Sequence, residues 1–118
     1  MDITVLAFSP DGAILGSGDA KREVVMWDAA SREVKQSRMV YHTARISAMG
    51  WSPDSTKLAT GSLDMSVIVW PVGVLPTKRK TIARAHHGGV QSVAFLDDAT
   101  IVSGGADRCV RMWRLSDA

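Results

Sequence analysis

A chain of 118 residues has room for one domain at most, and its 46% hydrophobic and 22% charged fractions are those of an ordinary globular protein. Fourteen Lys and Arg against twelve Asp and Glu leave a net charge of +2, too small to argue for a surface that coats nucleic acid or is steered to a membrane. No apolar run approaches the roughly 18 residues that span a bilayer. Met1-Asp2-Ile3-Thr4 lacks the basic and apolar regions of a signal peptide, and the single Cys109 has no partner for an internal disulfide. The expected setting is therefore reducing, the cytoplasm or nucleus, and a disulfide-stapled secreted scaffold is excluded.

In chain order, the first punctuation is Ser9-Pro10-Asp11-Gly12, directly after Ala7-Phe8. Gly16-Ser17-Gly18-Asp19-Ala20-Lys21 follows and superficially suggests a phosphate loop. It lacks the third glycine and the Gly-Lys-Ser/Thr ending, and it is read instead as a turn between two strands. Val24-Val25-Met26-Trp27 is the next β-like run. Residues 46–51 alternate in polarity and stop at Ser52-Pro53-Asp54-Ser55, where Pro fixes φ and Asp bonds nearby backbone. Residues 57–60 form a further run, broken at Gly61-Ser62-Leu63-Asp64. Residues 66–70 form a third, rich in β-branched side chains, and residues 81–84 a fourth. Ala94-Phe95-Leu96-Asp97-Asp98-Ala99, Ser103-Gly104 and Val110-Arg111-Met112-Trp113 complete the series.

These elements repeat. Trp27, Trp70 and Trp113 are 43 residues apart; Phe8, Trp51 and Phe95 are separated by 43 and 44. Four short strands per unit (a to d) at a period of about 40–45 residues describe a propeller blade. The sequence resembles the WD-repeat family. Trp27-Asp28 carries its dipeptide literally, Trp70-Pro71 and Trp113-Arg114 have drifted, and Tyr41-His42 and Ala85-His86 stand where Gly-His is usual. The resemblance implies an all-β fold of WD40 propeller blades, each a four-stranded antiparallel sheet. Repeat one covers 1–41, repeat two 42–85, and repeat three 86–118 without its outer strand. That makes about two and three-quarter blades, whereas closed propellers have about 4–8. The expectation is an incomplete propeller, either part of a longer one that supplies the missing blades or a short chain that self-associates into a ring, with apolar flanks left open.

The family commonly ties a blade together through His, Ser or Thr, Asp and Trp. By position these are His42, Thr60, Asp64 and Trp70 in repeat two, and His86, Ser103, Asp107 and Trp113 in repeat three. Such a buried network satisfies groups that would otherwise cost about 1–3 kcal/mol each. Ser103, His86 and Asp107 also match a hydrolase triad by residue type. The constellation occurs twice, however, and no Gly-x-Ser-x-Gly surrounds Ser103, so the structural reading is preferred and no enzyme is expected. Repeat one is incomplete, with Lys21 at the Asp position and Asp19 two residues early, and is expected to be the least stable. His86-His87 and Cys109 fit no zinc spacing, and no metal or cofactor is expected.

Lys78-Arg79-Lys80 with Arg84 is the strongest basic cluster, read as a solvated, charge-protected edge strand, with an acidic partner surface as the alternative. Lys21, Arg22, Arg45, Met65, His87 and Arg108 fall on turns at one face of the blades and are the candidate partner contacts. Cys109 reads as a small packed residue.

One longer stretch is more specific. Trp51-Ser52-Pro53-Asp54, Leu63-Asp64-Met65-Ser66-Val67-Ile68-Val69-Trp70, and Gly89-Val90-Gln91-Ser92-Val93-Ala94-Phe95-Leu96-Asp97-Asp98 resemble the C-terminal end of the actin-interacting protein 1 family. That resemblance implies a non-enzymatic protein-interaction module that acts with cofilin in actin filament disassembly, in the cytoplasm and associated with the cytoskeleton. The partners implied are actin and cofilin, with no nucleic acid and no membrane. The alternative is a WD-repeat scaffold or adaptor subunit of a multiprotein complex.

Overall fold

The computed structural model describes residues 2–39, 41–73 and 79–115. Lys78 of the basic cluster and residues 116–118 lie outside them. The described residues form eleven strands and no helix, in three antiparallel sheets. Blade 1 holds β1 (Ile3–Phe8), β2 (Ile14–Asp19), β3 (Val24–Asp28) and β4 (Val34–Met39), in that order across the sheet. Blade 2 holds β5 (Ile46–Trp51), β6 (Lys57–Ser62), β7 (Val67–Pro71) and β8 (Lys80–Ile82) in the same order. Blade 3 is three-stranded, with β9 (Val90–Asp97), β10 (Thr100–Gly105) and β11 (Val110–Arg114), β10 in the middle.

The strands differ at their ends from the sequence expectation. The run 57–60 extends as β6 through Gly61 and Ser62, which pair with Ala48 and Ile46. Gly61 continues the strand because the next blade presses on it: a Cβ there would lie 2.4 Å from Val90 Cγ1. The run 66–70 is β7, Val67–Pro71. The run 81–84 shifts to Lys80–Ile82, because Ala83 and Arg84 already turn and Arg84 takes φ 56°.

The cores lie between blades. Val24 and Met26 of blade 1 meet Trp51, Leu58 and Trp70 of blade 2, while Val67 and Val69 of blade 2 meet Val90, Val93 and Ile101 of blade 3. Polar ties repeat at both junctions. Thr4 Oγ1 donates to the Ile46 carbonyl, as Ser47 Oγ does to Val90; Asp11 N donates to Ser55 Oγ (3.2 Å), as Asp54 N does to Asp98 Oδ1 (2.9 Å). Trp51 Nε1 donates to the Ala7 carbonyl at 2.9 Å.

The outer faces repeat the same surfaces without cover. Val24 and Val67 are fully buried, but Val110, at the same repeat position, is 78% exposed. Trp51 is 8% exposed, but Phe8 is 63% exposed and borders an apolar cleft of about 260 Å³ with Leu15 and Trp27. Burying such side chains stabilises a fold by about 1.5–3 kcal/mol each, so both flanks have the chemistry of a blade junction.

Candidate interaction surface

Blade 2 contains a continuous polar chain. Trp70 Nε1 donates to Thr60 Oγ1 (2.8 Å), Thr60 Oγ1 lies 2.8 Å from His42 Nε2, and His42 Nδ1 lies 3.0 Å from Asp64 Oδ2. With the imidazole proton on Nδ1 every group is satisfied: the indole gives to the hydroxyl, the hydroxyl to Nε2, and Nδ1–H to the carboxylate. Asp64 also accepts from Thr43 N (2.8 Å), Ser66 N (2.8 Å) and Ser66 Oγ (2.6 Å). Burial alone would raise its pKa, but the bonds from His42, Ser66 and the Thr43 amide outweigh it and hold the carboxyl far below the usual range.

Blade 3 repeats the chain. Trp113 Nε1 donates to Ser103 Oγ (2.8 Å), which lies 2.8 Å from His86 Nε2, and His86 Nδ1 is 2.9 Å from Asp107 Oδ1. The His86 hydrogen bond lowers the Asp107 pKa against the opposing effect of desolvation. Arg111 adds an ion pair at 3.6 Å. Ser103 is 1% exposed and its oxygen already receives the indole N–H, so the three residues that imitate a triad offer a substrate no approach. A Cβ on Gly105 would sit 2.3 Å from His86 Cβ and 2.4 Å from Cγ, whereas one on Gly104 would meet Ser92 Oγ at 3.1 Å and the Cys109 carbonyl at 4.0 Å. Gly105→Ala is therefore expected to push the imidazole off Asp107 and cost about 1–3 kcal/mol. Gly104→Ala should cost clearly less in thermal unfolding, and equal losses would refute this account of Gly105.

Blade 1 keeps only the Trp27 Nε1 to Ser17 Oγ bond, at 2.9 Å. Its turn is nonetheless anchored by Asp19. That carboxylate accepts from Lys21 N (2.8 Å) and Glu23 N (3.0 Å), where Asp64 and Asp107 take the equivalent Ser66 and Cys109 amides. Sequence comparison by aligned position misses this because an Asp two residues early reaches the same N–H from the other side of the turn.

The three β–β turns that follow Asp19, Ser62 and Gly105 are the same turn. Arg22 N, Met65 N and Arg108 N close it onto the carbonyls of those residues, and all three take left-handed φ, at 78°, 76° and 64°. Among the candidate contacts, Lys21, Arg22, Arg45, His87 and Arg108 are exposed and Met65 is half-buried. Lys21, Arg22 and Arg45 come together on one cleft of about 500 Å³ between blades 1 and 2, with Asp19, Ala20, Glu23, Thr43 and Ala44. Met65 is not in that cleft and gives its carbonyl to Ala85 N at 2.7 Å. His87 and Arg108 belong to blade 3, where His87 N donates to Asp107 Oδ2 at 3.3 Å.

In the basic edge, Lys80 and Arg84 are exposed as expected, and Arg79 departs from the solvated form. Arg79 is half-buried, its guanidinium 3.6 Å from the centre of the Tyr41 ring, and Tyr41 is tilted against Trp70 at 6.1 Å. A cation over an aromatic face is worth about 0.5–2 kcal/mol, so Arg79 serves the blade. Cys109 is half-buried, with Sγ 3.6 Å from the Asp107 carbonyl. No helix of the described residues is long and apolar enough to cross a membrane.

The WD domain, G-beta repeat family matches residues 1–28, 34–71 and 77–114. The chain is 50% identical over 94% of its length to Actin-interacting protein 1-2 of Arabidopsis thaliana. It is 40% identical over 98% to the 66 kDa stress protein of Physarum polycephalum, and 41% identical over 97% to an uncharacterized WD repeat-containing protein of Schizosaccharomyces pombe. It spans only 18% or 19% of the length of these relatives. Among solved structures, the β-propeller domain of Myceliophteria thermophila Cps50 (Swd1) superposes with TM-score 0.87 at 17% identity, covering 98% of this chain and 36% of that one. A chain of the Mitotic Checkpoint Complex superposes at 0.85 and 24% identity, covering 96% and 34%. Three matched repeats, blade-like sheets and the superposition on a β-propeller domain converge: the chain belongs to the WD domain, G-beta repeat family.

Proposed function

We propose that the chain is a non-enzymatic protein-interaction unit of an actin-interacting protein 1-like factor, acting with cofilin on actin filaments in a cytoskeleton-associated setting. The observation that carries this reading is the 50% identity to Actin-interacting protein 1-2, which extends over 94% of the chain rather than over repeat signatures alone. The three blades are read as part of a larger propeller whose neighbouring blades cover the Phe8 and Val110 faces, and repeats one, two and three end near residues 41, 85 and 118. The hydrogen-bonded His, Thr or Ser, Asp and Trp sets are read as the framework that holds the turns in place.

The test is co-sedimentation of the full-length polypeptide that carries this sequence, with bare actin filaments and with filaments coated with cofilin. Pelleting well above the bare-filament level on coated filaments is expected. Binding no greater than to bare filaments overturns the reading and leaves the general scaffold reading in its place.

A further inference from the structure

The two blade junctions are built from the same positions, and they differ where it matters for binding. At the junction of blades 2 and 3, Leu63, though 43% exposed, lies against Gly89, so closely that a Cβ on Gly89 would lie 3.1 Å from Leu63 Cα and Cδ2. At the junction of blades 1 and 2 the equivalent residues are Ala20 and Arg45. The leucine side chain is absent there, and a cleft of about 500 Å³ lies at that junction. Charge changes with it. Asp64 and Met65 of the blade 2 turn correspond to Lys21 and Arg22, and Gly89 corresponds to Arg45. Three cations thus replace one acid and two uncharged residues.

We propose that this cleft docks an acidic peptide segment of a protein partner, its carboxylates held by Arg22, Arg45 and Lys21. The proposal rests on the reading of the chain as an interaction unit and not on which partner is bound. Exposed charge in the cleft is cationic: Lys21, Arg22 and Arg45 are exposed, whereas Asp19 is 6% exposed and Glu23 is half-buried and engaged. Arginine forks match carboxylates in two-bond geometry. Phosphate is the poorer fit, because the amides that would cradle it are taken: Lys21 N and Glu23 N bond Asp19 Oδ1, and Arg22 N bonds the Asp19 carbonyl.

The walls are fixed before any ligand arrives. Thr43 N is held by Asp64 Oδ2, and the Arg45 carbonyl accepts from Ser62 Oγ at 2.8 Å and Leu63 N at 3.3 Å. The network of blade 2 therefore anchors one side of the cleft and Asp19 the other, which limits the ordering cost of binding. A volume of this size lies within the range of about 300–1,000 Å³ typical of ligand sites.

The test uses the full-length polypeptide and fluorescence anisotropy with a labelled Gly-Asp-Glu-Asp-Glu-Gly peptide, beside its amide counterpart Gly-Asn-Gln-Asn-Gln-Gly. The acidic peptide is expected to bind and the amide peptide not. Arg22→Glu with Arg45→Glu should weaken binding about tenfold or more. Lys35→Glu with Lys57→Glu, the same charge change away from the cleft, should not. Ala20→Leu puts the leucine of the next junction into the cleft without changing charge and should also weaken binding. Equal binding of the two peptides, equal losses in both charge-reversed variants, or full binding by a folded Ala20→Leu protein each overturns the proposal. Loss of the peptide site with filament co-sedimentation intact overturns the cleft alone, and the converse overturns the filament reading alone.

Discussion

Trp70→Ala is expected to cost about 3–5 kcal/mol, the range for emptying the site of a large buried aromatic. Trp70 is fully buried in the core between blades 1 and 2, against the same cluster as Ile14, Met26 and Leu58. Its truncation also removes the donor to Thr60 Oγ1 and the ring on which Tyr41, and through it Arg79, is tilted. Trp70→Phe separates the two contributions. It keeps most of the apolar contact and leaves the buried hydroxyl short of one donor, so its cost should be about 1–3 kcal/mol. Urea unfolding followed by far-ultraviolet circular dichroism measures both. If Trp70→Phe is as damaging as Trp70→Ala, the hydrogen bond outweighs packing and the assignment of Trp70 to a hydrophobic junction is wrong. Against a total stability of about 5–15 kcal/mol, the alanine variant should lose a large fraction of its stability.

The fold was legible because its signals are periodic. The 43-residue spacing of Trp27, Trp70 and Trp113 and the turn at Ser52-Pro53-Asp54-Ser55 are properties of one unit written three times. Strand ends were less legible, since Gly61 looks like a breaker until Val90 is seen to press on it from the next blade. Tertiary approach, absent from any local window, keeps a glycine in a strand. The turn-anchoring role of Asp19 is hidden for a related reason: position in an alignment is not position around a turn, and the carboxylate reaches the Glu23 amide from two residues early. Arg79 looked solvated as part of a charge run, but its guanidinium covers Tyr41, a contact between the end of one blade and the edge of the next. The cleft was half visible. Lys21, Arg22 and Arg45 read one by one as turn residues, and only the packing of blades 1 and 2 brings them onto one cleft, with Ala20 and Arg45 where the next junction has Leu63 and Gly89.

Asp64→Ala is the second substitution with a large expected effect, about 3 kcal/mol near pH 7, because it strips the acceptor from several donors at once. His42 Nδ1, Thr43 N, Ser66 N and Ser66 Oγ all point at this carboxylate, and the His42 side chain has no exposure to water in which to find a replacement. The stabilisation should carry a definite pH signature. The carboxyl is held far below its ordinary value of about 3.9 by these bonds, so within that interval the unfolded chain binds more protons than the folded one, and stability rises with pH there. The contribution is thus complete above about pH 4–5 and disappears as pH falls below the ordinary carboxylate range. Asp64→Asn, which keeps the shape and removes the titration, should be less stable than wild type by a constant amount from pH 7 to about 5, with the gap closing below about pH 4. Asp107 is shifted in the same direction by His86, so combining Asp64→Asn with Asp107→Asn should flatten the acid limb further. A gap that stays constant down to pH 2, or that closes already between pH 7 and 5, would mean that these carboxylates do not hold the blades together in the way the hydrogen-bond geometry requires.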